Sequence, residues 1–357
     1  MYVRYREEIN VTGYYKSQYL RTMEGLIERR EQETLNKRSH YCRDIMKDKQ
    51  KYREKLAEVL GWPLTEKRTN TPVQVVAQRI ATEDNYIVER MQFTVLDEFV
   101  MTGLLIRYSD DTVRPFVIAQ HGGEGTPELV SGLYDSTGNY NDMVERLLTN
   151  GANVFAPQLL LWAKNKYKQE YDREVLDARL KNVGSSVTAL EVFALMRVLD
   201  YFEKQKWVGH IGMVGLSYGG FYTQFMAALD TRIKAAISCS YFCDAQHRVQ
   251  SDMNWSDLAQ YFGEAELACL VHPRKLFLEM GQEDELFDYR KSALEYERIC
   301  ELSKDENDDW LEFKVFHGNH EFYKEDDHIR MLIKYLRNDS QTSEHSKRRL
   351  KIYDKGY

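Results

Sequence analysis

In residues 14–60, Leu, Ile and Met recur at helical spacings between many Arg, Lys and Glu residues, and no proline appears before Pro63. Apolar positions three and four apart mark one face of a helix, so this segment reads as a helical extension. Its last piece keeps Leu56, Val59 and Leu60 on one side and stops at Gly61, with Pro63 close behind, as helix C-termini do. Between Val73 and Arg107 the period shortens to two. The runs VQVVAQRIA, YIVERMQFTV and FVMTGLLIRY are β-branched and alternating, divided by Glu83-Asp84-Asn85 and Asp97-Glu98, which predicts antiparallel strands and hairpins.

After Pro115 short apolar runs alternate with longer amphipathic ones. FVIAQ precedes a helix near 141–150, NVFAP precedes a long helix from about 185 to 204, and IGMVG leads into a helix from Tyr218. IKAAISC follows, then KLFLEM with a helix near 287–302, and LEFKVF with a helix near 321–336. Apolar strands separated by helices belong to a mainly parallel sheet covered on both faces. The expected architecture is therefore α/β, a mainly parallel central sheet with helices on both faces plus an N-terminal helical extension. Residues 1–70 form that extension, 71–338 the catalytic domain, and 339–357 a polar, solvated tail.

Composition narrows the choice of partners. The 357 residues are 43% hydrophobic and 29% charged, with 6 prolines and 20 glycines, the balance of an ordered protein. Lys plus Arg number 49 against 56 Asp plus Glu, so a net charge of -7 leaves no positive field to attract nucleic acid. Charges break every apolar stretch of the N-terminus, so no membrane span or secretory core can be drawn there, and a cytoplasmic location is expected. The cysteines, Cys42, Cys239, Cys243, Cys269 and Cys300, show no C-x-x-C pair or zinc-like spacing; they read as reduced thiols, and no metal site is expected.

The sharpest chemical signal is Gly215-Leu-Ser217-Tyr-Gly219-Gly220, set between an apolar strand and a helical run. A serine on so tight a turn needs neighbours without side chains, and the turn holds its hydroxyl out of the sheet. A serine hydroxyl needs a base, which the order Ser, Asp, His places downstream. His320, in the His317-Gly-Asn-His320 loop after the strand LEFKVF, is that base, whereas His317 at the strand end reads as structural. One strand earlier the turn Gly281-Gln-Glu-Asp284-Glu supplies the acid that fixes the imidazole tautomer. Asp284 is the first choice, with Glu283 and Glu285 as flanking solvated charges and Asp244 as an outside candidate.

Phe116 to Gln120 runs into His121-Gly-Gly123-Glu124-Gly125, where bare backbone can approach a substrate carbonyl. The amides of Gly123 and Tyr218 are assigned to the oxyanion hole. Glu124 and Trp162, the latter in an insertion over 157–184 that also carries Tyr167 and Tyr171, are assigned to the substrate pocket.

Together, H-G-G at 121–123, G-L-S-Y-G-G-F at 215–221, G-Q-E-D at 281–284 and G-N-H-E-F at 318–322 resemble the α/β-hydrolase superfamily. They are most similar to its acetyl xylan esterase and dienelactone hydrolase-like branch and to the catalytic domain of prolyl oligopeptidases. The resemblance implies the α/β-hydrolase fold and a serine hydrolase that needs no cofactor. Residues 1–70 are too few and too helical for the β-propeller of an oligopeptidase. Tyr218 stands where the multimeric sugar deacetylases have Gln, and no R-G-Q segment occurs in the insertion. The expected function is carboxylic-ester hydrolysis through an acyl-enzyme on short-chain, acetyl-type esters of a small molecule or sugar. The alternatives are a peptidase or amidase with the same triad, and a non-catalytic binding protein on this scaffold. Self-association through the N-terminal helices is left open.

Overall fold

The computed structural model describes residues 6–66, 71–134, 136–161, 171–243, 251–337 and 351–352. Its alternating N-terminal strands form an antiparallel ribbon of β1 (Gln74–Glu83), β2 (Tyr86–Leu96) and β3 (Phe99–Tyr108). The two hairpins turn at Asp84-Asn85 and Asp97-Glu98, where Asp84 and Asp97 take positive φ, 41° and 45°, which Asp tolerates better than most residues. The parallel part follows with β4 (Arg114–Gln120), β5 (Asn153–Pro157), β6 (Val208–Leu216), β7 (Ile233–Cys239), β8 (Lys275–Gly281) and β9 (Leu311–Phe316). A two-residue β10 (Lys351–Ile352) pairs with β9. The tail, read as solvated, thus contributes a strand that no periodicity announces.

The strand order is β1-β2-β3-β5-β4-β6-β7-β8-β9-β10. From β4 the chain goes outward to β5, then returns to the other side as β6, so the order reverses at β4 and β6. In open α/β sheets the crevice outside the carboxyl ends of such strands is where ligands bind. Here the Gly-rich loop leaves β4 and Ser217 leaves β6.

Both faces of the sheet are covered. One core holds Phe93, Phe116, Phe155, Phe202, Phe221 and Phe225, and into it the helix Lys49–Leu60 inserts Tyr52, Leu56 and Leu60. The other packs Val117, Val154, Val214, Ile237 and Phe277 under Leu332 and Leu336 of the last helix. The second helix of the extension is therefore integral to the core. The first, Ile9–Tyr41, buries only Arg38 among its 33 residues. Among the described residues no helix is long and apolar enough to cross a membrane.

One boundary departs from the sequence expectation in a way that matters. The last helix begins at Asp327, not near residue 321, because the chain between is tied to the α/β body as a loop. Arg146 donates to the carbonyls of Tyr323 (2.7 Å) and Glu325 (2.6 Å) and to Asp326 Oδ1 (2.7 Å), so those residues cannot coil into a helix. This loop carries His320.

Candidate active site

Ser217 has φ 59° and ψ -121°, a sparsely populated conformation that costs a non-glycine residue on the order of 1–3 kcal/mol. It survives because its surroundings fix it. Its amide donates to Cys239 O at the end of β7 (2.9 Å), and its carbonyl accepts from Phe221 N (3.0 Å) in the helix Tyr218–Leu229. A Cβ on Gly215 would lie 2.3 Å from the Gly219 backbone, and one on Gly219 2.2 Å from Gln120 O, so both flanking glycines are required by close approach.

Asp284 follows β8, and its side chain is 0% exposed. Its Oδ1 accepts from the amides of Leu286 (2.8 Å) and Phe287 (3.0 Å), while Oδ2 lies 2.9 Å from His320 Nδ1. With Nδ1–H donated to the carboxylate, Nε2 is the basic atom of the ring. The Phe287 ring stacks on the imidazole, centroids 5.7 Å apart at 24°.

The His320 loop is clamped from several sides. Phe322 N donates to Asn139 O (2.8 Å), and Asn139 Nδ2 donates back to His320 O (2.9 Å). Glu283, expected as a solvated charge, instead accepts from the Gly318 amide (2.7 Å) and pairs with His317 Nδ1 (3.0 Å); these contacts hold its carboxyl below the usual range. Asp244 lies outside the described residues.

The elbow of Ser217 and the loop of His320 are both tied to the end of β7. Cys239 O holds the Ser217 amide, while Cys239 Sγ and Ser240 Oγ both lie 3.3 Å from the carbonyl of Glu321, next to His320. Ser217 Oγ is not hydrogen-bonded to His320 in this structure; such contacts commonly tighten only in the substrate complex.

The Gly-rich loop lies against the serine: a Cβ on Gly122 would come 2.9 Å from Leu216 O and 3.2 Å from Ser217 Cβ. The Gly122 amide is engaged by Tyr140 Oη at 2.7 Å, and the half-buried Gly123 amide follows, with no hydrogen bond among the described residues. His121 is wholly buried, and desolvation pushes its pKa down to about 4, so it is neutral at physiological pH. Its Nδ1 lies 2.9 Å from Gly122 O, and its Nε2 accepts the Leu159 amide at 3.1 Å, which together fix the tautomer and the loop. Tyr218 N is the first amide of its helix, where the helix dipole favours negative charge. Glu124 sits exposed at the loop tip, and Trp162 lies outside the described residues.

No motif or period announces what stands behind Tyr218. Its phenol lies 3.1 Å from Asp252 Oδ1, and Arg173 joins Asp252 (2.5 Å), Glu191 (3.1 Å) and Tyr222 (2.7 Å) in a buried network. These residues come from four separate segments, and only an i+4 spacing between Tyr218 and Tyr222 is visible in the chain. Among the described residues no group of His, Cys, Asp and Glu could hold a metal ion.

The model of the dienelactone hydrolase family matches residues 130–350. The chain is 26% identical over 254 residues to YtaP of Bacillus subtilis (strain 168), which carries a hydrolase designation, covering 66% of this chain and 81% of that one. Among solved structures it resembles a glucuronoyl esterase from Solibacter usitatus (TM-score 0.61, 14% identity, 81% of this chain and 92% of that one). It also resembles acetyl xylan esterase 1 from Thermoanaerobacterium sp. JW/SL YS485 (TM-score 0.55, 13% identity, 81% and 93%). At these identities the two structures speak for the fold alone. With the family match spanning more than half of its length, the chain belongs to the dienelactone hydrolase family and is a hydrolase of the α/β-hydrolase fold.

Proposed function

We propose that the protein is a serine carboxylic-ester hydrolase working through an acyl-enzyme on short-chain, acetyl-type esters of a small molecule or sugar. The observation that carries this reading is the buried Asp284 carboxylate 2.9 Å from His320 Nδ1, in a loop joined through Cys239 to the strained Ser217. Ser217 Oγ attacks the ester carbonyl as His320 Nε2 takes its proton, and Asp284 offsets the imidazolium charge. The amides of Gly123 and Tyr218 stabilise the oxyanion. The tetrahedral intermediate expels the alcohol, which takes the proton back from His320; water activated by the same ring then releases the acid and frees the serine. Acetyl xylan and glucuronoyl esterases among the structural relatives support an ester, and the former an acetyl group. Every group required is a side chain or a backbone amide, so the proposed chemistry calls on no cofactor.

The test is labelling by a fluorophosphonate beside Ser217→Ala, with hydrolysis of acetyl, butyryl and octanoyl nitrophenyl esters compared with an amino-acyl nitroanilide. Labelling lost in the variant, with fastest acetyl turnover, is the expected result. Faster nitroanilide cleavage would mark a peptidase instead. No labelling and no turnover by folded protein would leave a binding scaffold.

A further inference from the structure

A cavity of about 610 Å³ opens between the start of β3 and the helix Arg173–Lys181. That is a volume in which small organic ligands are enclosed. Its walls are apolar, with Met101 on β3, Leu176 and Leu180 on the helix, Val187 beyond, and Leu160 half exposed at the mouth. Arg179, exposed on the helix, lines the rim in water, while Arg173 and Glu191 line the cavity with charges already engaged. Arg173, with a side chain 3% exposed, donates to Asp252, Glu191, Tyr222 and Leu160 O, and Glu191 accepts in addition from Leu160 N at 3.1 Å. Inside that rim a ligand meets satisfied ion pairs and hydrocarbon, and a charged group would be buried there without compensation. The chemistry selects a neutral, apolar ligand.

Two chains of hydrogen bonds lead from the cavity lining toward the candidate site. β5 and β3 stand two and three places from β6 in the sheet, roughly 10 and 14 Å at ordinary strand spacing. Gln158, a lining residue just after β5, lies 3.4 Å from the ring of His121, whose other nitrogen is bonded to Gly122 O beside Ser217. On the opposite wall, Arg173 is linked through Asp252 to the phenol of Tyr218. Both proposed oxyanion donors are thus braced by residues that touch or line the cavity.

We infer that this cavity binds the alcohol part of the ester substrate, and that this part is neutral and apolar. The inference rests on the ester-hydrolase reading with its short acyl group, and it selects an apolar, ring-sized alcohol over a sugar. The acyl group then stays at Ser217, while the alcohol extends over Gln158 toward Leu176.

The experiment compares wild type with Leu176→Trp, in which an indole fills the cavity from the helix side. Hydrolysis of 2-naphthyl acetate and of methyl acetate is measured, and equilibrium binding of 2-naphthol is read by its fluorescence in the Ser217→Ala background. The expected result is a KM for naphthyl acetate raised about tenfold or more in the Trp variant, with methyl acetate unchanged and naphthol binding weakened by a similar factor. If Leu176→Trp fails to fold, Leu180→Trp brings the indole from one turn further along. Serine-dependent hydrolysis of methyl acetate, with naphthol binding and naphthyl KM untouched by a folded Trp variant, overturns the cavity assignment and leaves the esterase standing. Naphthol binding lost in the Trp variant, with no serine-dependent hydrolysis of any ester, instead overturns the esterase reading and the substrate assignment with it.

Discussion

Replacing Asp284 by Asn isolates the orienting role of the carboxylate, because the structure dictates how the amide must sit. Oδ1 accepts from the Leu286 and Phe287 amides, at 2.8 and 3.0 Å, and only an oxygen can take that place. The carboxamide therefore aims its NH2 at His320, where the native Oδ2 accepts from Nδ1. A donor facing a donor is untenable, so the imidazole proton moves to Nε2, the atom that must be bare to take the serine proton. Both amide bonds survive and the variant folds, losing one charge-assisted bond worth roughly 1.5–3 kcal/mol. The same exchange in a comparable triad lowers the rate by about 10⁴, which is about 5.5 kcal/mol of transition-state stabilisation. The assay is kcat/KM on nitrophenyl acetate at neutral pH, with thermal melting of the same samples. A folded Asp284→Asn protein within about tenfold of wild type would refute the assignment of His320 and Asp284 as a working pair.

Gly219→Ala should abolish fluorophosphonate labelling of Ser217, since its Cβ would come 2.2 Å from Gln120 O and must displace backbone; labelling at the wild-type rate would count against the elbow geometry. Asp252→Ala leaves the Arg173 charge short of a partner at a site where both side chains are 3% exposed. It should cost about 3–5 kcal/mol in denaturant unfolding; a loss under about 1 kcal/mol would show that the network relaxes. Burial, reinforced by the Glu266 carboxylate, raises Glu295 to about 7 from 4.5. The folded state then holds a proton that the unfolded chain gives up first, so stability falls as pH rises from about 4.5 to 7, by up to about 3 kcal/mol. Glu295→Gln should flatten that slope in melting measured across the interval, and an unchanged slope would reject the assignment.

Local pattern carried much of the architecture. Alternation over Val73 to Arg107 marked the antiparallel ribbon, and the apolar runs after Pro115 marked the parallel strands, because strand period and burial on two faces leave direct traces in residue type. The elbow was equally legible. Gly215 and Gly219 are required by contacts within a few residues of Ser217, or with the neighbouring strand end, so they appear as a compact motif.

Other features escaped because their causes lie far apart in the chain. Glu283 reads as one more surface acid until the fold brings Gly318 and His317 to it, and residues 321–326 look helical until Arg146, some 180 positions away, binds their carbonyls. The Arg173, Glu191, Asp252 and Tyr218 network and the cavity beside it depend on segments whose spacing carries no period at all. What the sequence determined by itself was therefore the succession of strands and helices, the glycine-flanked serine and the loops that carry its partners, since each follows from local sterics and hydrophobic period. The tertiary structure alone decided which acid faces His320, what holds the Gly-rich loop, and where a ligand can be enclosed. Those depend on distances across the sheet, and a buried charge is stable only where distant segments converge to pair with it.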